Sequence, residues 1–229
     1  MTLAEDSLMR AVCLLSGTGT NLQAILKNIG AGNIPISLNA VISDNPTAKG
    51  IEKADTSGIT TKVIDYELYD EKNIYHEQLK QSVLAETPDL IILAGYMRIL
   101  SDDFCETFRG KIINIHPSLL PAYKGLNTHQ RVLEAKETHH GTSVHFVIPE
   151  LDGGPSIIQY RIKIDSSDTP DTLKKRVQEG EYQIYSKAIK WFALEQLEMK
   201  NNKVIFHGDH LDKPILIEEN QVLGKVTPV

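Results

Sequence analysis

The chain has 229 residues, which is enough for one large or two small domains with a buried core. Its formal net charge of −6, with no run rich in Lys and Arg to offset it, argues against a nucleic-acid partner. No stretch approaches the roughly 20 apolar residues that cross a bilayer, which argues against a membrane partner.

The cysteines and the N-terminus indicate a cellular compartment. Cys13 and Cys105 lie in apolar surroundings with no paired spacing, as is typical of free thiols in a reducing compartment. The first residues contain two acids and no long apolar run, so they do not resemble a signal or transit peptide. We therefore expect a cytoplasmic protein.

The first half of the chain alternates between short apolar runs, which predict strands, and segments with helical spacing. This β-α-β-α-β-α-β order is typical of a mostly parallel sheet with right-handed crossovers. Ligands in such sheets bind beyond the carboxyl ends of the strands, so the loops that follow the strands are the candidate sites. Strands are predicted at 11–15, 37–43, 60–64 and 90–94, and helices after residue 21, at 48–57 and at 70–86, the last with Ile74, Leu79 and Val83 on its apolar side.

A glycine-rich turn, Ser16-Gly-Thr-Gly-Thr-Asn21, separates the first strand from the first helix. Such a turn aims backbone N–H groups from a helix N-terminus, which suits a phosphate. It lacks the third glycine of the dinucleotide fingerprint, because Leu22 stands there, and it lacks the Gly-Lys-Ser/Thr end of a Walker A loop. A tight turn with Thr20 or Asn21 as the helix N-cap is the alternative, and both interpretations stay open.

Two polar residues close the strand predicted at 112–115. Asn114 and His116 flank Ile115, so strand alternation sends both side chains to the same face. An amide can donate to an oxygen that gains negative charge, and an imidazole can transfer a proton near neutral pH. The alternative is a strand end whose Asn caps a turn and whose His rests in a crevice.

Three other features each have two interpretations. The apolar loop 95–100 is either ordinary core or the wall of a slot for a flat heterocycle. Asp152 stands in a constrained turn before two glycines and a proline, where an Asx-turn is the structural alternative to a functional role. His139, His140 and His145 suggest a metal site or a polar turn, and the turn is favoured because no acid or thiol completes a ligand set at the usual spacing.

The C-terminal part completes the predicted fold. A strand pair there is expected to be antiparallel, and a long helix follows it. We predict an α/β, Rossmann-like fold, with a mostly parallel twisted sheet, helices on both faces and an antiparallel C-terminal strand pair. The predicted segments are the strands 142–147 and 156–164, the helix from Thr169 and a hairpin-like run at 203–211. Together with the first half they form a single domain over 1–211. A tail follows over 212–229, in which no regular element is expected.

As a set, these motifs resemble those of the folate-dependent formyltransferases. The resemblance runs from about Ala11 to Leu197. It implies transfer of a formyl group from the co-substrate 10-formyltetrahydrofolate to the amine of glycinamide ribonucleotide in purine biosynthesis, without a metal. The motifs that carry it are Asn114-Ile-His-Pro-Ser-Leu-Leu-Pro, Gly141-Thr-Ser-Val-His, Leu151-Asp-Gly-Gly, the loop 16–21 and Met97-Arg-Ile-Leu.

The resemblance also implies a role for individual residues. Asn114, His116 and Asp152 match the catalytic trio of the family. Residues 10–100 would form the nucleotide- and phosphate-binding half, and residues 101–200 the catalytic and folate-binding half. The implied ribonucleotide-binding residues are Gly19, Thr20, Asn21, Gln178 and Glu181. The implied folate-binding residues are Lys72, Met97, Arg98, Ile99, Leu100, Asn114, Glu150 and Asp152, with Lys72 at a position where the family usually has arginine.

Related activities remain as alternatives. A methionyl-tRNA formyltransferase would carry a further C-terminal domain and a basic surface, and a formyltetrahydrofolate hydrolase would carry an extra N-terminal domain, neither of which this sequence predicts. A sugar-nucleotide N-formyltransferase is disfavoured by the glycine-rich phosphate loop. A binding module would bind nucleotide or folate without turnover. The protein is expected to be a monomer or a homodimer.

Overall fold

The computed structural model of the chain describes residues 8–219. The tail predicted over 212–229 therefore lies outside the described residues from position 220 onward. Within the described part, no helix is both long and apolar enough to cross a membrane.

Strands and helices alternate through the first half of the chain, as the apolar spacing predicts. A short 3-10 helix, Tyr66–Leu68, lies between the third strand and the third helix. The strands are β1 (Met9–Leu15), β2 (Ile36–Ser43), β3 (Thr60–Val63), β4 (Leu90–Leu93), β5 (Ile112–His116), β6 (His139–Phe146), β7 (Ser156–Lys163), β8 (Leu197–Lys200), β9 (Lys203–Phe206), β10 (Asp209–His210) and β11 (Ile215–Glu218). The helices are α1 (Thr20–Gly30), α2 (Lys49–Thr56), α3 (Lys72–Leu84), α4 (Asp102–Thr107), α5 (Thr128–Glu134) and α6 (Pro170–Ala193).

An eight-stranded sheet in the order β11-β7-β6-β5-β4-β1-β2-β3 forms the centre of the fold. Strands β1 to β5 pair in parallel, whereas β6 runs antiparallel to both β5 and β7. The predicted parallel sheet and antiparallel C-terminal pair are confirmed. A second, antiparallel sheet of β10, β9 and β8 follows α6, and its β9–β10 hairpin was expected at 203–211.

Side chains of β1 alternate between two cores, one on each face of the sheet. Ala11, Cys13 and Leu15 join the core that α1 and α6 cover, whereas Val12 and Leu14 join the core that α3 and α4 cover. All five side chains are buried. A strand covered on both faces needs apolar residues throughout, which explains its continuous apolar run. Helices therefore cover both faces of the sheet, as predicted.

The face of α3 that packs on the sheet differs from the prediction. Ile74 was expected on the apolar side, yet it is 54% exposed. Leu79 and Val83 are buried, as predicted, and Tyr75 is buried in place of Ile74. The spacing of four residues between these three defines the inward face of the helix. The prediction for Ile74 is wrong because the aromatic Tyr75, one position later, takes the buried place.

The segment after residue 211 also differs from the prediction. No regular element was expected there, but β11 adds a parallel strand next to β7 at the edge of the main sheet. An ion pair between Arg161 of β7 and Glu218 of β11 joins the two strands. Part of the predicted tail is therefore an integral strand of the sheet.

Candidate active site

The end of β5 brings the predicted catalytic side chains together. The antiparallel register between β5 and β6 places Asn114 opposite His145. Asn114 is partly buried, and His116 is buried on the same face of β5. Nδ1 of His116 lies 3.4 Å from Oδ2 of Asp152, which comes from the loop between β6 and β7. The structure thus unites Asn114, His116 and Asp152 in one place.

Both ring nitrogens of His116 face oxygen acceptors. Nε2 lies 3.0 Å from the backbone oxygen of Tyr123, to which it donates. Nδ1 faces the carboxylate of Asp152. The hydrogen bond at Nε2 and the carboxylate beside Nδ1 together fix the position of the His116 ring.

The loop that follows His116 is fixed by side chains of β6. Thr142 Oγ1 donates to the backbone oxygen of His116 over 2.9 Å. Ser143 Oγ donates to the backbone oxygen of Ser118 over 2.6 Å and accepts from the backbone N–H of Leu120 over 3.0 Å. The role of these two hydroxyls does not follow from the sequence pattern. They hold the backbone on which the His116 ring depends.

Asp152 sits in a strained turn. Its φ is +48°, a left-handed conformation that non-glycine residues rarely adopt and that is often found at functional sites. Its Oδ2 accepts a hydrogen bond of 2.8 Å from the backbone N–H of Gly125. The turn is tight, since a Cβ at Gly154 would lie 1.9 Å from the backbone oxygen of Phe146. The double glycine therefore lets the chain aim Asp152 at His116.

His145 belongs to the active site, although neither the sequence motifs nor the family resemblance gave it a catalytic or binding role. Its Nδ1 donates to the backbone oxygen of Phe146 over 2.8 Å, so Nε2 is the unprotonated nitrogen and accepts from the Asn114 amide over 3.1 Å. Burial lowers the pKa of His145 to about 4, which keeps the ring neutral at pH 7. The signal was present in the strand alternation, which predicts that His145 faces the same way as Ser143. The register between β5 and β6, which places His145 opposite Asn114, has no signal in the sequence.

The glycine-rich turn after β1 is packed too closely at Gly19 for a side chain. A Cβ at Gly19 would lie 2.6 Å from Cα of Gly50, and Gly19 has a φ of +67°. Gly19 itself is the N-cap of α1, without a side-chain cap, so the interpretation with Thr20 or Asn21 as N-cap is wrong. Among residues 8–219, no N-cap side chain occupies the first N–H groups of α1, which suits a ligand at this helix end.

Helix α6 meets this turn through two hydrogen bonds. Gln178 Nε2 donates to Thr20 Oγ1 over 2.9 Å, and Asn21 Nδ2 donates to Glu181 Oε2 over 2.9 Å. Burial raises the pKa of Glu181, although the hydrogen bond from Asn21 acts in the opposite direction. Oδ1 of Asn21 is buried and has no hydrogen-bond partner within residues 8–219. The five residues implied for the ribonucleotide thus lie around the N-terminus of α1.

A slot opens beside Asn114, between the loop after β4 and the loop that carries Asp152. The side chain of Met97 is not among its lining residues and is largely exposed, but the Met97 backbone N–H donates to Ser16 Oγ over 2.8 Å. Lys72 does not line the slot either. The lining residues that the resemblance assigns to folate are Arg98, Ile99, Leu100, Asn114, Glu150 and Asp152.

Histidines outside the trio form no metal site among residues 8–219, where no group of three or more His, Cys, Asp or Glu side chains could hold a metal ion. His129 and His140 are paired, with Nδ1 and Nε2 separated by 3.0 Å. His139 is exposed and contacts Thr138. These rings are thus engaged with protein neighbours.

The fold and site define an α/β enzyme with an amide, an imidazole and a carboxylate at the carboxyl end of a central strand. Residues 9–189 match the sequence model of the family described as formyl transferase. The chain belongs to this family, and it is an enzyme of formyl transfer.

The chain is also similar to individual named proteins. The chain is 42% identical over 203 residues to phosphoribosylglycinamide formyltransferase of Escherichia coli K12, covering 89% of this chain and 96% of that protein. It is 36% identical to the trifunctional purine biosynthetic protein adenosine-3 of Homo sapiens, covering 86% of this chain and 20% of that protein. The solved phosphoribosylglycinamide formyltransferase of Coxiella burnetii is 45% identical, with a TM-score of 0.86 over 89% of this chain and 96% of that chain.

Proposed function

We propose that the chain transfers the formyl group of 10-formyltetrahydrofolate to the amine of glycinamide ribonucleotide, giving formylglycinamide ribonucleotide for purine biosynthesis. The observation that carries the proposal is the meeting of Asn114, His116 and Asp152 at the end of β5, within one family whose named relatives carry this activity.

The first chemical step is attack of the substrate amine on the formyl carbon. The carbonyl oxygen then gains negative charge, and donors in place before the reaction stabilise it. One N–H of the Asn114 amide is held by His145. The other donates to the developing oxyanion, and the positive charge of protonated His116 adds to this stabilisation.

Asp152 handles the proton that the amine loses. Its carboxylate stabilises the protonated His116 ring, since the two groups are 3.4 Å apart and both side chains are 8% exposed. It relays the amine proton toward N10 of the folate, directly or through one water molecule. The bond from the formyl carbon to N10 then breaks, and N10 leaves with that proton.

The ribonucleotide binds at the start of α1. The backbone N–H groups at Gly19, Thr20 and Asn21 hold its phosphate, together with the Thr20 hydroxyl. The Thr20 oxygen accepts from Gln178, so its own O–H remains available to donate to the phosphate. Acceptors for hydroxyl or amide groups of the ligand are the carboxylate of Glu181 and Oδ1 of Asn21, which has no hydrogen-bond partner among residues 8–219.

The folate donor occupies the slot beside Asn114. The backbone of Arg98 and Leu100 meets the edge of its pterin ring, and Ile99 adds apolar contact. Glu150, which forms an ion pair of 2.7 Å with Lys124, belongs to the loop that closes the slot. The same slot is adjacent to Asp152, which places the donor beside the proposed proton relay.

The test is a formyl-transfer assay that follows deformylated folate by absorbance. Purified protein is mixed with 10-formyltetrahydrofolate, with and without glycinamide ribonucleotide. We expect turnover that needs the acceptor and that His116→Ala abolishes, whereas His139→Ala, which changes an exposed histidine on β6, leaves it unchanged. Folate release without the acceptor would instead indicate a hydrolase. A folded protein inactive in both mixtures would contradict the proposal.

A further inference from the structure

We infer that Asp44 is a positioning residue for the formyl donor, which fixes Arg98 and, through it, the loop 97–100 that forms one wall of the slot. The inference rests on the proposed function, because it concerns the binding of the same donor. Neither the family resemblance nor the sequence pattern assigns a role to Asp44.

Asp44 is a buried carboxylate directly after β2. It is 2% exposed, and its Oδ2 accepts a hydrogen bond of 2.6 Å from Nε of Arg98. Its Oδ1 is buried without a hydrogen-bond partner within residues 8–219. A buried carboxylate is strongly unfavourable unless a cation compensates it. The Asp44 carboxylate therefore needs its ion pair with Arg98, and this ion pair holds the Arg98 side chain in one orientation.

Three contacts hold the Arg98 guanidinium. Besides Asp44, Nη2 donates to Glu67 Oε1 over 3.0 Å, and the group lies 3.9 Å from the ring centre of Tyr66. Tyr66 is tied to the same place, since its backbone N–H donates to the Asp44 backbone oxygen over 3.0 Å. The Arg98 side chain is thus occupied within the protein, and what it offers the slot is its backbone.

Lys72 supports the same ring from the start of α3. Its Nζ lies 4.0 Å from the ring centre of Tyr66 and donates to the backbone oxygens of Tyr66 and Tyr69 over 3.0 and 2.7 Å. The resemblance implies that Lys72 contacts the donor. The geometry points to a different contribution, in which Lys72 acts through Tyr66 and Arg98.

Tyr75 and Tyr96 connect the Tyr66 ring with the slot. Tyr66 packs edge-on against Tyr75 with ring centres 4.8 Å apart, and the Tyr75 hydroxyl is hydrogen-bonded to that of Tyr96, which lines the slot. Burial raises the pKa of Tyr75 to about 12, and the Asp44 charge acts in the same direction. Packing therefore links the surroundings of Asp44 to the slot at two residues, Arg98 and Tyr96.

The test compares two carboxylates that contact the same guanidinium. Asp44→Asn keeps the shape and removes the buried charge. Glu67→Gln removes the charge of a side chain that is 74% exposed, and serves as the matched control. We expect Asp44→Asn to raise the KM for 10-formyltetrahydrofolate about fivefold, with kcat and the KM for glycinamide ribonucleotide within about twofold of wild type. Glu67→Gln should leave all three constants within about twofold.

Direct binding separates this inference from the proposed function. Calorimetric titration with tetrahydrofolate needs no acceptor and no turnover, so it measures the slot even if the protein transfers formyl to another amine. Weaker binding in Asp44→Asn than in Glu67→Gln supports the inference. Equal binding in the two variants overturns it, as does an Asp44→Asn defect shared equally by both substrates.

A second variant covers the case in which Asp44→Asn does not fold. Asp44→Glu keeps the charge that pairs with Arg98 but moves the carboxylate by one methylene, so Arg98 and the loop 97–100 cannot keep their places. It should weaken tetrahydrofolate binding in the same direction. Unchanged binding in folded Asp44→Glu overturns the inference.

Discussion

Replacing His145 by phenylalanine tests how the Asn114 amide is held. A flat aromatic ring remains, slightly larger than imidazole, but Asn114 loses the acceptor at 3.1 Å that fixes one of its N–H groups. A neutral hydrogen bond contributes about 1 kcal/mol, so we expect kcat to fall by about fivefold. Asn114→Ala removes the oxyanion donor itself and should lower kcat by about 10² to 10³.

A double-mutant cycle then separates positioning from direct chemistry. If His145 acts through Asn114, adding His145→Phe to Asn114→Ala should cause no further loss of kcat. The assay is steady-state formyl transfer at saturating substrates, with folding checked by circular dichroism. His139→Phe, on the exposed end of the same strand, is the matched control. Losses that multiply in the double variant would refute the assignment of His145 as the residue that orients Asn114.

Three further predictions follow from the same structure. Asp152→Asn should lower kcat by about 10² or more because it removes the proton relay, and near-native turnover in the folded variant would show that the relay lies elsewhere. Thr20→Val removes the hydroxyl that accepts from Gln178 and should raise the KM for glycinamide ribonucleotide about fivefold, while the KM for folate is unchanged. A rise in both KM values would instead indicate a general packing defect. Burial lowers the pKa of His129 to about 4 and of His140 to about 3, so the unfolded state binds more protons than the folded state below about pH 6.5. The free energy of unfolding, measured by urea titration, should therefore fall as the pH is lowered from about 6.5 to about 4. A constant free energy of unfolding over this range would contradict neutral buried rings.

The parallel half of the fold could be predicted because local signals and tertiary structure agree there. The apolar run of β1 is continuous because both of its faces are covered, and the Ser16–Asn21 turn marks the following helix start. β11 was missed because it is a short edge strand, whose pairing with β7 depends on a neighbour far away in the sequence.

Some residues of the candidate site could be predicted from the sequence, and others could not. Asn114 and His116 were found because they are two residues apart on one strand, and Asp152 because it precedes two glycines. His145 depends on the register between β5 and β6, which the sequence does not encode locally. Asp44 depends on a contact with Arg98, 54 residues later, and an aspartate after a strand is common enough in turns to carry no signal alone.

The stoichiometry of the reaction tests the central claim most directly. Purified protein with 10-formyltetrahydrofolate and limiting glycinamide ribonucleotide should release one tetrahydrofolate for each formylglycinamide ribonucleotide found by mass spectrometry, and release should stop when the acceptor is consumed. Continued folate release beyond the acceptor supplied, or release without a formylated product, would contradict formyl transfer to this amine.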